Sequence, residues 1–131
     1  MPISRTPALA TLAALALLAA CAHAAPALGT TLALTEHQSI TVAPGAILTY
    51  DSVNDSRCPP DVQCLVAGKV VYSFTLKQGD TLEHFTLSPA EPAYTSPVLE
   101  GKRITLAGSA PAPRAKLAAT SHPVSIKVVA P

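Results

Sequence analysis

The chain has 131 residues, with nine Lys/Arg against eight Asp/Glu, three Cys, 13 Pro and no Trp. That length suits one domain with one hydrophobic core and excludes two. A near-neutral chain without a basic run excludes an electrostatic nucleic-acid footprint, and the prolines after residue 30 speak against a helical protein.

Residues 1–20 read as a signal-peptide helix. Arg5 supplies the positive start, and Ala8 to Ala20 is an uncharged Ala/Leu run with one Thr. Such a run has the length of a signal-peptide core and is too short to span a bilayer comfortably. Leu18-Ala19-Ala20-Cys21 resembles the bacterial lipobox, which makes Cys21 the expected lipidation site. Ala22-His23-Ala24 instead offers the small-x-small site of ordinary signal peptidase. Both routes export the chain, and a doubly acylated Cys21 would hold it at a membrane surface. Removing the leader takes only Arg5 from the charges, so eight Lys/Arg balance eight Asp/Glu in the mature chain.

Residues 21–30 read as a tether and 31–131 as a single β domain. A Thr/Leu-rich run near residue 31 suggests a short first strand. Ser39 to Ala43 carries Ile40 and Val42 at period two. Pro44-Gly45 signals a turn, after which Ala46 to Val53 sets Leu48 and Tyr50 on one face and Thr49 and Asp51 on the other. Lys69 to Gln78 is the clearest strand: Val70, Tyr72, Phe74 and Leu76 alternate with mostly polar residues, as in a sheet covered on one side. Gly79-Asp80 turns it back into Thr81 to Leu87. Leu82 is out of phase with Phe85 and Leu87, which predicts a bulge near Thr81. Ser88 to Pro97 holds three prolines and reads as a loop or irregular edge. Arg103 to Ala107 is a strand, Gly108 to Pro113 a connector, and Ala115 to Thr120 a short helical turn. Ser121 to Ala130 closes the chain with Val124, Ile126 and Val128 on one face. Six or seven short strands without a helical period predict an all-β fold, a small antiparallel β-sandwich of immunoglobulin-like size or a small open barrel.

Between these strands lies DSVNDSRCPPDVQCLVAG, from Asp51 to Gly68. Cys58 and Cys64, an even pair in an exported chain, read as a disulfide. C-x5-C is not a usual zinc spacing, and reactive dithiols favour C-x-x-C. The bond would close a ring over Pro59, Pro60, Asp61, Val62 and Gln63, contributing about 2–2.5 kcal/mol in the chain-entropy description. The prolines stiffen it further.

Asp55-Ser56-Arg57-Cys58-Pro59, Val62-Gln63-Cys64 and Ala67-Gly68 resemble a family of small exported bacterial proteins, many of them lipoproteins, with a D-S-R-C-P…V-x-C-x-W-A-G signature. Nine of its ten defined positions are matched here, and Val66 stands where the family has Trp. The resemblance covers the leader, this motif and the following strand, and fades in the C-terminal third. It implies export and a β-rich fold, and it implies no reaction.

Enzymatic patterns do not occur: there is no nucleophile elbow, phosphate loop or H-E-x-x-H. His37, His84 and His122 lie on different segments, and His84 is expected to point away from Phe85. Asp51, Asp55 and Asp61 offer oxygen ligands of the kind calcium takes, though turn-forming Asp is the simpler reading. Arg57 is expected to pair with a neighbouring Asp, and Tyr72 and Phe74 to be core. These readings lead to a non-enzymatic exported envelope protein, lipid-anchored or periplasmic, without catalytic residue, metal or cofactor. Its expected partner is an envelope or extracellular protein, met through the braced loop or a sheet edge; membrane contact runs only through the anchor. The alternatives are a protease inhibitor using the Cys58–Cys64 loop, with Arg57 or Leu65 setting specificity, and a periplasmic metal-binding protein using His37, His84, His122 or the Asp cluster.

Overall fold

The computed structural model describes residues 24–108, 110 and 122–131. The leader, Cys21 and the helical turn expected over 115–120 lie outside the described residues. All regular structure among the described residues is strand: β1 (Thr31–Leu34), β2 (Ser39–Ala43), β3 (Ala46–Asp55), β4 (Val70–Gln78), β5 (Thr81–Leu87), β6 (Ala93–Thr95), β7 (Arg103–Leu106) and β8 (Val124–Val129). They form two antiparallel sheets, ordered β1-β8-β7-β6 and β2-β3-β4-β5. The all-β sandwich expected from the alternation is therefore what the chain adopts.

The core lies between the sheets because each strand carries its large apolar side chains at period two. Leu48, Tyr50, Tyr72, Phe74, Leu76, Phe85 and Leu87 come from one sheet, and Leu34, Ile104, Val124, Ile126 and Val128 from the other. Tyr50, Phe74, Phe85 and Tyr94 make a chain of ring contacts, with centroids 5.4, 5.5 and 4.2 Å apart in turn. Aromatic pairs of this kind add about 0.5–1.5 kcal/mol each beyond their buried area. Short turns follow from local chemistry. Pro44-Gly45 places a proline first and a glycine at φ 71° second, as a type II turn requires. Gly79 at φ 58° opens the two-residue β4–β5 turn in a conformation only glycine takes freely.

Two expectations are corrected. No bulge forms near Thr81: β4 and β5 pair without a shift from Gln78↔Thr81 to Tyr72↔Leu87. Leu82 simply faces outward at 55% exposure, and Glu83 takes the inner-face position. Its carboxylate accepts hydrogen bonds from Ser96 Oγ (2.6 Å) and the Val98 N–H (3.0 Å), so it clips the 96–102 turn of the facing sheet. Within 88–97, read as a loop or irregular edge, β6 is an edge strand paired with β7, which brings the strands among the described residues to eight rather than six or seven. Three residues between prolines carry too little pattern to announce a strand.

A bulge does form in β3. Register shifts between Tyr50 and Ser52, leaving Asp51 as the extra residue. Before it, Leu48 and Tyr50 face inward. After it, Val53 and Asp55 lie opposite the buried Tyr72 and Val70 and so share their inner face. Asp51 keeps the outward side that alternation already gave it, and the one inserted residue turns Asp55 in.

The strand directions give the sandwich two distinct ends. The 56–69 loop, the 35–38 turn and the start of β8 lie at one pole. The Pro44-Gly45 and Gly79-Asp80 turns lie at the other, with the entry to β1 and the end of β8. There the Gly29 N–H bonds the Val128 carbonyl at 2.7 Å, so the last residues of the 21–30 tether are already tied to the sheet.

The Tyr50 hydroxyl, fully buried, donates to the His122 carbonyl at 2.9 Å and links the sheets. Burial, with the nearby Glu36 carboxylate, pushes its ionisation well above the ordinary tyrosine range. Tyr50→Phe should lower unfolding free energy by about 1–3 kcal/mol, because it leaves a buried carbonyl unpaired. Chemical denaturation measures this, and an unchanged midpoint would contradict the link.

Candidate functional site

The loop between β3 and β4 is braced at three levels. At its neck, the Ser56 N–H bonds the Lys69 carbonyl (2.9 Å), and the Lys69 N–H bonds Ser56 Oγ (3.0 Å). A Cβ on Gly68 would run into the Ser56 carbonyl, so only glycine lets the two chain segments approach this closely. At its tip, Cys58 and Cys64 are bonded, with Cα atoms 5.8 Å apart, and the Val62 N–H bonds the Pro59 carbonyl at 3.2 Å inside the ring.

Below the neck, at the end of β3, sits Asp55. Arg57 donates to it through Nε (2.8 Å to Oδ1), Nη2 (2.6 Å to Oδ2) and its backbone N–H (3.2 Å to Oδ1). A forked guanidinium contact fixes both distance and plane. His122 Nε2 approaches the same carboxylate at 3.4 Å, and among the described residues nothing partners its buried Nδ1. The Asp55 and Arg57 side chains are 10% and 18% exposed, so this is a part-buried pair rather than a fully exposed one. The hydrogen bonds from Arg57 hold the Asp55 carboxyl below its ordinary value, against the opposing effect of burial. Asp55 in turn raises the Arg57 guanidinium.

What the brace presents is apolar. Leu65 is fully exposed, Val66 is 80% exposed and Val62 is 42% exposed. Val66, standing where the resembled signature has Trp, fills no core space in this chain. Arg57, one specificity candidate of the inhibitor reading, is turned inward onto Asp55, whereas Leu65 is presented outward.

The remaining candidates separate. Asp51 lies on the outer sheet face, Asp55 inside and Asp61 exposed on the ring. His37 is exposed on the 35–38 turn, His84 exposed on β5 and turned away from Phe85, and His122 buried. Among the described residues no group of three or more His, Cys, Asp or Glu comes together. Sequence reading missed the inward turn of Asp55. Its signal is the parity break in β3, where Val53 falls out of step with Leu48 and Tyr50. Comparisons with protein-family models, curated proteins and solved structures gave no match to this chain.

Two outcomes follow. Gly68→Ala should open the neck and lower stability by at least about 1 kcal/mol, since backbone rather than a flexible side chain must move; hydrogen exchange at Ser56 and Lys69 reads it directly. The second concerns acid. A carboxyl whose folded pKa is depressed stabilises the fold above its unfolded value and loses that contribution as pH falls through the folded one. The stability gap between the native protein and Asp55→Asn should therefore be full at neutral pH and shrink below about pH 4. A gap independent of pH would show that the Asp55 charge contributes nothing.

Proposed function

We propose that this is a non-enzymatic exported envelope protein whose braced loop engages an envelope or extracellular protein. The single observation carrying this reading is the full exposure of Leu65 beside Val66 on a loop held by a disulfide and a part-buried ion pair. Soluble domains rarely leave adjacent large aliphatics in water on a rigid projection without a contact to make. A segment already fixed in shape loses little conformational entropy when it docks. The disulfide suits an oxidising compartment outside the cytoplasm.

Placement supports the same reading. Chain entry lies at the pole opposite the loop. A tether there, ending in an acylated Cys21 or in a free N-terminus, would hold Leu65 and Val66 away from the anchoring surface. The loop then faces whatever protein lies beyond that surface.

The test pairs two variants. Leu65→Ser/Val66→Ser should keep thermal stability within about 0.5 kcal/mol, as surface changes do, and lose at least about tenfold in capture of one defined envelope protein that the native domain retains. Cys58→Ser/Cys64→Ser should lose about 2–2.5 kcal/mol of stability and weaken the same capture. Equal capture by all three proteins would reject the loop as the contact surface.

A further inference from the structure

Among the described residues the large apolar side chains most open to water fall into two groups. One is Val62, Leu65 and Val66 on the braced loop. The other is Leu28, Ile47 and Leu82, each about half exposed, and all three belong to the opposite pole. Ile47 follows the Pro44-Gly45 turn, and Leu82 follows the Gly79-Asp80 turn. They flank Lys77 in one cross-strand row, Ile47↔Lys77↔Leu82, on the outer face of the β2-β3-β4-β5 sheet. Leu28 precedes Gly29, whose N–H is bonded to the Val128 carbonyl where the chain enters the domain.

Cations gather at the same end. On the outer face of the other sheet, Arg103 begins β7 opposite Val129, and Lys127 lies opposite Thr31, the first residue of β1. Every Asp and Glu of the chain is among the described residues, yet none forms an ion pair with Lys77, Arg103 or Lys127. Of the carboxylates at this pole, Glu100 faces Lys102 at 3.6 Å, and Glu83 is turned inward to Ser96 and Val98. That leaves Asp80 against three cations.

Half-exposed aliphatics set among unpaired cations suit a lipid–water boundary. There the apolar side chains enter the edge of the acyl region while Lys and Arg reach phosphate. We propose that the chain-entry pole rests on an anionic phospholipid surface, with Leu28, Ile47 and Leu82 entering the headgroup boundary and Lys77, Arg103 and Lys127 meeting phosphate. This rests on the exported, anchored reading given above and adds a membrane contact beyond the anchor. The stretch from Cys21 to Gly29 spans at most about 29 Å when fully extended. An acylated Cys21 therefore keeps this pole within reach of the bilayer, while the braced loop at the far pole faces away from it.

The test is sedimentation with phosphatidylcholine vesicles made with and without phosphatidylglycerol. It uses the exported, disulfide-bonded chain carrying Cys21→Ser, so that no acyl chain contributes. Binding should require phosphatidylglycerol and weaken as salt rises. Lys77→Gln/Arg103→Gln/Lys127→Gln should weaken it by at least about tenfold, and Ile47→Ser/Leu82→Ser by at least about fivefold. Leu65→Ser/Val66→Ser should bind vesicles as the parent chain does. Loss of protein capture by the loop and loss of vesicle binding by this pole are thus separate results. No binding to the anionic vesicles, equal binding to the neutral ones, or undiminished binding by the folded charge variant would each overturn the proposal.

Discussion

The carboxylate of Asp55 joins three parts of the molecule that would otherwise be independent. It ends β3, it receives the forked contact of Arg57 at the root of the loop, and it meets His122 at the start of β8 in the facing sheet. A carboxylate in such a place is costly to bury alone, and the guanidinium offsets that cost only in one geometry. The pair therefore acts as a directional clamp. It sets where Cys58, the next residue, leaves the sandwich, and the disulfide then freezes the ring beyond it. Stiffness at the tip would serve little if the root were free to swing.

The clamp depends in turn on a single extra residue. Without the bulge at Asp51, strict alternation would send Asp55 to solvent with Asp51, Val53 and Thr49, and Arg57 would have a surface partner worth little. With it, one strand serves two chemistries. Asp51 looks outward to Thr75 and His84, and Asp55 looks inward to Arg57 and His122. The irregularity thus underlies the presentation of the loop, while the line from Asp51 to His84 stays on the outer face where alternation put it.

Much of the scaffold was readable from residues. The alternation of Val70, Tyr72, Phe74 and Leu76 placed β4 and its buried face, and Pro44-Gly45 and Gly79-Asp80 placed both turns. Leu82 misled, because an apolar residue out of phase can be a bulge or merely an exposed side chain. Only its pairing with Lys77 decides between them. Glu83 was silent for the complementary reason: a charged residue on an inner face makes sense only once Ser96 and Val98 are seen to approach it from the other sheet.

Taken alone, the sequence determined the β class, the strand-turn order, the likeness of its start to an export leader and the pairing of Cys58 with Cys64. Each of these is set by spacing along the chain: period two for strands, turn residues at fixed offsets, and two sulfurs six positions apart. The tertiary structure alone decided that Asp55 faces inward, that Thr75 carries a line from Asp51 to His84, and that loop and chain entry occupy opposite poles. Those facts depend on register between strands and on contact between sheets, which bring together residues that local spacing leaves far apart.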